Sequence, residues 1–168
     1  MIRLANESDA EVIVNLRKEI ILSEETTKFF ASSKMELPQN DSKLREQIKH
    51  SNRKGNLIIV AEMDGEVVGY LVFTRNEKVR LRHTGTMGVG IREEHCNQGI
   101  GTELIEFLID WARKQNNLEK ICLFVTSIND RAIKVYKRIG FIEEGRQKNQ
   151  IKYEDGSYGD DIFMAYYM

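Results

Sequence analysis

A strand that leads through a glycine-containing turn into an amphipathic helix occupies the middle of this chain, and it constrains the fold more than any other segment. Residues 89–91 are apolar or small, residues 92–98 are mostly polar, and helical periodicity begins at residue 99. The first turn of a helix leaves backbone N–H groups unpaired, and the helix dipole makes that end positive. The segment therefore predicts a cradle for a phosphate or diphosphate, made by the backbone of Asn97, Gln98, Gly99, Ile100, Gly101 and Thr102.

The same region excludes two common phosphate ligands. The turn lacks the Lys-Ser/Thr pair that holds a nucleoside triphosphate. The glycines at 88 and 90 are not followed by the third glycine of a dinucleotide-binding motif. The anion predicted here therefore belongs to neither ATP nor NAD.

The bulk properties are those of a single globular domain over residues 1–168. A formal net charge of −1 gives no electrostatic reason to expect a nucleic acid or an anionic membrane as partner. No apolar run approaches the length of a membrane span. The two cysteines, Cys96 and Cys122, have neither the number of a disulfide framework nor the spacing of a metal site. We therefore predict a cytoplasmic protein with no metal, no nucleic-acid partner and no membrane association.

The N-terminal region predicts a short strand and then a helix. Ser8 and Glu11 form a capping-box pattern at the start of this helix. Helical spacing places Val12, Leu16 and Ile20 on one apolar face. This face is predicted to be buried.

The periodicity fails in residues 24–40, where the only proline of the chain lies. We predict a loop or a broken helix there, and its Phe29 and Phe30 fit no simple core pattern. A second helix is predicted from residue 41 or 42 onward, with Gly55 as its C-cap.

The rest of the chain alternates strands and helices. Asp64-Gly65 is a typical hairpin turn between two apolar strands, at residues 56–63 and 66–74. The later predicted elements are a strand from about 81 to 91, a helix at 99–116, a strand at 121–126, a helix at 130–138 closed by Gly140, and two strands around a turn at 154–157. This order predicts a mixed α/β sheet.

Three motifs occur in order along these elements. They are Gly99-Ile100-Gly101 at the start of a helix, Asn129 with Tyr136 and Gly140-Phe141, and Asp155-Gly156 with Tyr158, Asp161 and Met164. Motifs and element order together resemble the GNAT superfamily of acyl-CoA-dependent N-acetyltransferases, over nearly the whole chain. The last motif and His83 look most like the branch that acetylates small amines, amino acids or protein N-termini.

The resemblance implies a fold and a co-substrate. The fold is α/β (α+β): a mixed, mostly antiparallel seven-stranded sheet, flanked by about four helices and splayed between strands four and five. The co-substrate is acetyl-CoA. Its pantetheine arm is expected to hydrogen-bond like an added strand to the end of the fourth strand, at Val89, Gly90 and Ile91. Glycines at 88 and 90 suit a bulge that parts the two strands, although relief of crowding explains them equally well.

Two further positions take a role from the resemblance. Asn129 caps a helix and also holds the pantetheine arm. Tyr136 lies two helical turns later and points back toward the slot. A phenol with a pKa near 10 can protonate a departing thiolate whose pKa is about 8.5, so Tyr136 is the expected general acid. The implied reaction is direct attack of a neutral amine on the thioester, with the Ile91 N–H or a neighbour bonding the oxyanion.

Cys96 departs from the family pattern, which has Gln or Arg at this position of the diphosphate loop. The departure removes a polar side chain from the cradle, and a weaker affinity for the cofactor is expected. A reactive thiol is one interpretation of Cys96. An inert small residue is simpler, because no neighbouring residue provides a catalytic triad.

The base that deprotonates the amine stays open at this point. The candidates are His83 on a strand face with Met87 and Val89, Glu93, Glu94, or water chains to Asp160 or Asp161. His50 and His95 are predicted to lie at the surface. The irregular segment is the candidate acceptor site, with its phenylalanines as apolar walls and Glu24 or Glu25 attracting an amine.

The predicted acceptor is the primary amine of a small molecule or an amino acid. The nearest alternative is an N-terminal acetyltransferase of the ribosomal-protein type, which needs a groove wide enough for a peptide. Another class is an acyl-CoA-binding module without catalysis, and the presence of Tyr136 argues against it. A homodimer through the C-terminal strands is expected from the family.

Overall fold

The computed structural model describes residues 1–51 and 55–168. Within these residues the strands are β1 (Ile2–Leu4), β2 (Leu57–Met63), β3 (Glu66–Arg75), β4 (Thr84–Ile91), β5 (Lys120–Thr126), β6 (Ile142–Lys152) and β7 (Tyr158–Tyr167). The helices are α1 (Asp9–Leu22), α2 (Ser42–His50), α3 (Ile100–Ala112) and α4 (Asp130–Ile139). The strands form one sheet in the order β1-β2-β3-β4-β5-β7-β6.

The predicted fold class is confirmed. Every pair of neighbouring strands is antiparallel except β4 with β5, which run parallel. These two strands pair only from Thr84 with Lys120 to Thr86 with Cys122, whereas β4 continues to Ile91 beside β3. The sheet is therefore open along the rest of the β4–β5 boundary, which we call the seam.

The two faces of the sheet are covered by different helices. On the first, which we call the α3 face, α3 and α4 pack on a core that includes Phe73 and Leu104. Trp111 packs there too, with its ring 5.8 Å from that of Phe73, as its helical position predicts. On the second, the α1 face, a separate core from α1, α2 and the sheet includes the predicted Leu16 and Ile20.

The start of α1 differs from the prediction. Ser8 makes no side-chain cap with the helix, because its hydroxyl bonds Asn6 instead. The first turn is held by Asp9, whose carboxylate accepts a hydrogen bond from the Asn6 backbone N–H at 2.8 Å. Of the predicted buried face, Leu16 and Ile20 are buried, but Val12 is 40% exposed and Ile13 is buried in its place.

Asp9 gives a prediction about stability. Its buried carboxylate accepts hydrogen bonds from the Arg3 guanidinium at 2.8 and 3.0 Å. Arg3 and the Asn6 N–H hold the pKa of this carboxyl below its usual value. The pair therefore stabilises the fold above the ordinary aspartate pKa of about 4, and this stabilisation is lost as pH falls through the lowered pKa. Asp9→Asn should lower the free energy of unfolding at pH 7 by about 2 kcal/mol, measured by urea denaturation.

A surface carboxylate provides the control. Asp110 lies 3.4 Å from Arg113 at the surface, so Asp110→Asn should change the free energy of unfolding by less than about 0.5 kcal/mol. The difference between Asp9→Asn and the unaltered chain should shrink when both are measured below the lowered pKa. An equal difference at pH 7 and in acid would contradict the assignment.

Two predicted boundaries are wrong. α2 ends at His50 with Ser51 as its C-cap, so Gly55 does not cap it. Residues 52–54, which the prediction included in this helix, lie outside the described residues. β4 begins at Thr84 rather than near Leu81, because a turn in which Thr84 N donates to Leu81 O at 2.8 Å comes before the strand.

The bulge predicted at Gly88 and Gly90 is absent. β4 pairs with β3 along its whole length without a register shift. Gly90 is needed for another reason, because a Cβ built on it would lie 2.6 Å from the Tyr70 ring. The seam therefore opens without a distortion of β4.

The turn predictions are confirmed. Asp64 and Gly65 both have positive φ in the β2–β3 hairpin, and Gly140 ends α4 with a φ of 118°. β6 and β7 flank the predicted C-terminal turn, while α3 ends at Ala112, earlier than expected. None of the helices in the described residues has the length and apolar character needed to cross a membrane.

Candidate active site

A cavity of about 400 Å³ lies where the end of β4 meets α3 and α4. All of the predicted binding residues except Gln98 line it. They are Val89, Gly90, Ile91, Asn97, Gly99, Ile100, Gly101, Thr102, Asn129 and Tyr136. Gln98 is exposed and donates from Nε2 to the Glu94 C=O at 3.1 Å. The fold thus brings separate segments of the chain to one place, which we call the α3-face cavity.

The N-terminus of α3 forms a concave backbone surface in this cavity. Gly99 is the N-cap with a φ of 88°, and Asn97 also has a positive φ, 63°. The Glu103 N–H donates to the Gly99 C=O at 3.1 Å. In the described part of the chain, the backbone N–H groups of residues 97–102 have no hydrogen-bond partner. Such unpaired groups at a positive helix end are suited to bind an anion.

β4 directs backbone groups into the seam. The Arg92 N–H donates to the Val68 C=O at 2.8 Å, and such bonded pairs alternate along an antiparallel ladder, so the even-numbered residues of β4 bond with β3. The N–H and C=O groups of Val89 and Ile91 therefore point toward β5, beyond the last β4–β5 pair. Gly90 lines the cavity, but its backbone groups face β3.

Two arginines that the sequence analysis missed add positive charge to the α3-face cavity. Arg131 and Arg138 lie two turns apart on one side of α4. Arg131 Nη2 is 3.6 Å from Cys96 Sγ, and Arg138 Nη2 donates to Thr102 Oγ1 at 3.1 Å. Neither guanidinium pairs with a carboxylate of residues 1–51 or 55–168. Their positive charge lies in the same cavity as Cys96, a position that has no charged side chain of its own.

These arginines give a prediction about cofactor affinity. Arg131→Ala and Arg138→Ala should each weaken acetyl-CoA binding by about two- to fivefold, the usual size for exposed charge pairs. Lys134→Ala removes an exposed charge from the same helix outside the cavity, and should leave the affinity unchanged. Calorimetry in low salt and in 1 M NaCl measures the effect, which should fade as the Debye length shortens to about 3 Å. Equal losses for the lysine variant would contradict a specific role.

His95 is more buried than predicted. Its side chain is 25% exposed and lines the α3-face cavity. Nδ1 is buried and has no partner in the described residues, while Nε2 lies 3.6 Å from the Glu94 carboxylate. His95 therefore adds a second unsatisfied polar group beside the α3 N-terminus.

Asn129 and Tyr136 place α4 side chains at the seam. Asn129 is the N-cap of α4, as predicted, with Oδ1 accepting from the Ala132 N–H at 3.2 Å. The Tyr136 ring is buried and packs 5.9 Å from that of Phe141. Burial raises the pKa of Tyr136 to about 12, so the phenol is protonated at neutral pH. Its hydroxyl has no hydrogen-bond partner within the described ranges.

A second cavity, of about 530 Å³, lies on the α1 face, and we call it the α1-face cavity. The irregular segment between α1 and α2 covers it, and Phe29 and Phe30 from this segment line both cavities. Val89, Asn129 and Tyr136 also border both. The two cavities therefore meet at the seam.

The position of His83 removes it from this site. His83 lies in the turn before β4, and its C=O accepts from the Glu119 and Lys120 N–H groups where β5 begins. β4 is about 23 Å long at 3.3 Å per residue, and this length separates His83 from Ile91. The prediction that His83 shares a strand face with residues 87 and 89 is therefore wrong.

The acidic residues that were candidates for the base or for attracting the amine differ in their contacts. Glu93 bonds Ser23 at the surface, and Glu94 is exposed beside Arg92 and His95. Glu24 and Glu25 are exposed and line neither cavity. Asp160 accepts from Arg146 Nη1 at 3.1 Å and from the Asn149 N–H at 2.9 Å.

Asp161 differs from these acids. It lines the α1-face cavity and makes no hydrogen bond or ion pair in the described part of the chain. Burial raises its pKa above the usual aspartate value. Asp161 is therefore the acid that the structure places beside the seam.

Comparison with known proteins identifies the family. A family model described as the acetyltransferase (GNAT) family matches residues 20–141. The chain belongs to the GNAT acetyltransferase family. As a GNAT acetyltransferase it is an acyltransferase, with acetyl-CoA as its co-substrate.

Three similar proteins place the chain within the family. The L-amino acid N-acetyltransferase AaaT of Escherichia coli K12 is 32% identical over 119 residues, 71% of this chain and 73% of that protein. An N-alpha-acetyltransferase of Sulfolobus acidocaldarius is 26% identical, over 98% of this chain and 90% of its own length. The crystal structure of a GNAT acetyltransferase from Streptococcus pneumoniae has a TM-score of 0.90 and 24% identity, over 100% of this chain and 99% of that one. The last likeness shows that the fold is shared.

Proposed function

We propose that this protein transfers the acetyl group of acetyl-CoA to a primary amine of a small molecule or amino acid. The amine attacks the thioester directly, and Tyr136 is the general acid. The observation that carries this proposal is that the two cavities meet at the seam, with Tyr136 bordering both. We also propose that residues 1–168 act as one catalytic domain.

The α3-face cavity fits the co-substrate. The unpaired N–H groups of residues 97–102 suit the diphosphate, and Arg131 and Arg138 add charge beside it. The backbone groups of Val89 and Ile91 suit the amides of the pantetheine arm, because they continue the ladder beyond the last β4–β5 pair. The arm then leads toward the seam.

The chemistry assigns a role to each group at the seam. A neutral amine from the α1-face cavity attacks the carbonyl carbon. The N–H of Val89, the β4 residue next to Ile91 along this edge that borders both cavities, bonds the developing oxyanion, while the Val89 C=O and the Ile91 groups remain for the arm. When the C–S bond breaks, Tyr136 donates its proton to sulfur. Its pKa of about 12 exceeds that of a thiol in water. The thiolate forms in the same apolar slot, where desolvation raises the pKa of the thiol as well. The difference between the pKa values of the phenol and the thiol is therefore smaller than in water.

Two alternatives are tested by the same experiment. The Sulfolobus relative is named an N-alpha-acetyltransferase, which favours a protein N-terminus as acceptor. Against this, the segment between α1 and α2 covers the α1-face cavity, which suits a small molecule better than a peptide. A module that binds acyl-CoA without catalysis would have no need of an acid at the seam.

The experiment is a screen of amines, amino acids and short peptides with acetyl-CoA, read by free-thiol release and by mass spectrometry of the products. We expect turnover with at least one small amine or amino acid. Turnover with peptides alone would support the N-terminal alternative. Tight binding of acetyl-CoA without turnover on any acceptor would overturn the proposed function. The cytoplasmic location and the homodimer stay predictions; the two unpaired cysteines support the first.

A further inference from the structure

We propose that the α1-face cavity is a subsite for a zwitterionic acceptor. Asp161 binds the ammonium group and takes a proton from it, and Arg17 binds an anionic group, such as the carboxylate of an α-amino acid. This inference rests on the proposed acetyl transfer. It adds the charge of the acceptor and the base that the sequence left open.

The two residues come from different elements that line one cavity. Arg17 lies on α1, and Asp161 lies on β7. In the β5–β7 ladder Asp161 is directly opposite Thr126, so the two side chains share a face of the sheet. Gly88 and Val89 of β4 also line this cavity, so an acceptor held between the two charges lies beside the seam.

Asp161 is available to a ligand. The adjacent Asp160 is fully engaged by Arg146 and the Asn149 N–H, whereas Asp161 has no such partner among the described residues. Burial is the cause that raises the pKa of Asp161, and no cation of the described residues offsets it. A half-buried carboxylate without a partner is unfavourable, and a cationic ligand group relieves this cost.

Arg17 is held by the Tyr70 side chain but has no carboxylate partner among the described residues. Its guanidinium carbon lies 5.0 Å from the centroid of the Tyr70 ring. Other arginines of the described chain, such as Arg3 and Arg92, pair with carboxylates, whereas Arg17 does not. Glu36 also lines the cavity and accepts a hydrogen bond from the Ser33 N–H at 3.3 Å.

The free charges determine the class of acceptor. Among the described residues that line this cavity, Arg17 has no carboxylate partner and the Asp161 carboxylate has no hydrogen bond, and this pair matches a ligand that carries both charges. A polyamine would place a further ammonium group near the guanidinium, which is unfavourable. The walls formed by Phe29 and Phe30 suit an apolar side chain.

The proton transfers balance as follows. Asp161 takes one proton from the ammonium, and the nitrogen lone pair forms the N–C bond. The C–S bond then breaks, and sulfur receives the Tyr136 proton. The nitrogen loses its second proton as the amide forms, and this proton returns through water to the Tyr136 oxygen. Asp161 releases its proton to solvent, so one proton is set free for each acetyl group transferred.

The test uses leucine, leucinamide, 3-methylbutylamine and spermidine as acceptors with the full chain. Leucine should have a kcat/KM at least about tenfold above leucinamide and the simple amine. Arg17→Ala should raise the KM for leucine by about tenfold and leave that for leucinamide unchanged. Asp161→Asn should lower kcat by about 10²-fold for both, with an unchanged Kd for acetyl-CoA. Asp155→Asn, in the β6–β7 turn, should behave as the unaltered chain.

The outcomes separate this inference from the proposed function. If neither this panel nor the wider screen of amines, amino acids and peptides gives turnover, the proposed function itself is contradicted. If the kcat/KM of the unaltered chain for leucinamide or spermidine equals or exceeds that for leucine, acetyl transfer stands and the zwitterion subsite is overturned. A normal kcat in Asp161→Asn removes Asp161 as the base.

Discussion

Tyr136→Phe is expected to lower kcat by about 10²-fold or more while the Kd for acetyl-CoA stays the same. The substitution removes one oxygen from a buried ring and keeps the packing against Phe141. Because that hydroxyl bonds no described residue of the free protein, its loss breaks no structural hydrogen bond. The effect should therefore appear in turnover and not in stability, measured by thiol release on the best acceptor of the screen and by thermal unfolding.

Tyr166→Phe is the matched control. Tyr166 packs against the same ring, 5.5 Å from Phe141, and its hydroxyl accepts from Arg113 Nη2 at 3.0 Å. It lines neither cavity. The control should keep its turnover and lose a little stability, the reverse of the Tyr136 variant. Full turnover in Tyr136→Phe would remove this tyrosine from the mechanism.

Gly99→Val is the other substitution with a large expected effect, a loss of acetyl-CoA affinity of at least about 100-fold. Gly99 has a φ of 88°, which a β-branched residue adopts only at a cost of about 1–2 kcal/mol. A Cβ at Gly99 meets no protein atom within 4 Å, so it projects into the space predicted for the anion. Loss of two hydrogen bonds to a charged group accounts for the expected factor. Calorimetric titration with acetyl-CoA measures it.

Gly65→Val controls for the backbone cost. Gly65 has a φ of 83° in the β2–β3 hairpin, and a Cβ there also meets nothing within 4 Å. Both variants should therefore lose similar stability, whereas Gly65→Val should bind acetyl-CoA normally. If the two glycine variants bind equally well, the backbone of α3 is not the anion site.

Local features of the sequence predicted most of the fold. The Asp64-Gly65 hairpin, the Gly140 cap and the start of α3 depend on residues close in sequence, and each is in its predicted place. In α1 only Val12 was wrongly predicted to be buried, because Val12 and Ile13 are both apolar and only the sheet decides which of them is buried. The predicted start of β4 was wrong for a similar reason, since the apolar Leu81 lies in an exposed turn.

The acceptor side could not be predicted in this way. Arg17, Tyr70 and Asp161 are far apart in sequence, and the α1-face cavity exists only once α1, β3 and β7 are assembled. The residues of the α3-face cavity were found because one strand, one turn and one helix hold most of them. Arg131 and Arg138 were missed, although a spacing of seven residues on a helix placed them on one side.

The seam also divides the sheet into two halves. β1 to β4 form a run of antiparallel neighbours, and β5 to β7 form another. In the described part of the chain, three residue pairs are the strand pairing between the two halves, which otherwise share the core under α3. The seam is thus the unpaired part of the boundary between two antiparallel halves of the sheet. It leaves room for a ligand while β4 keeps its regular pairing with β3.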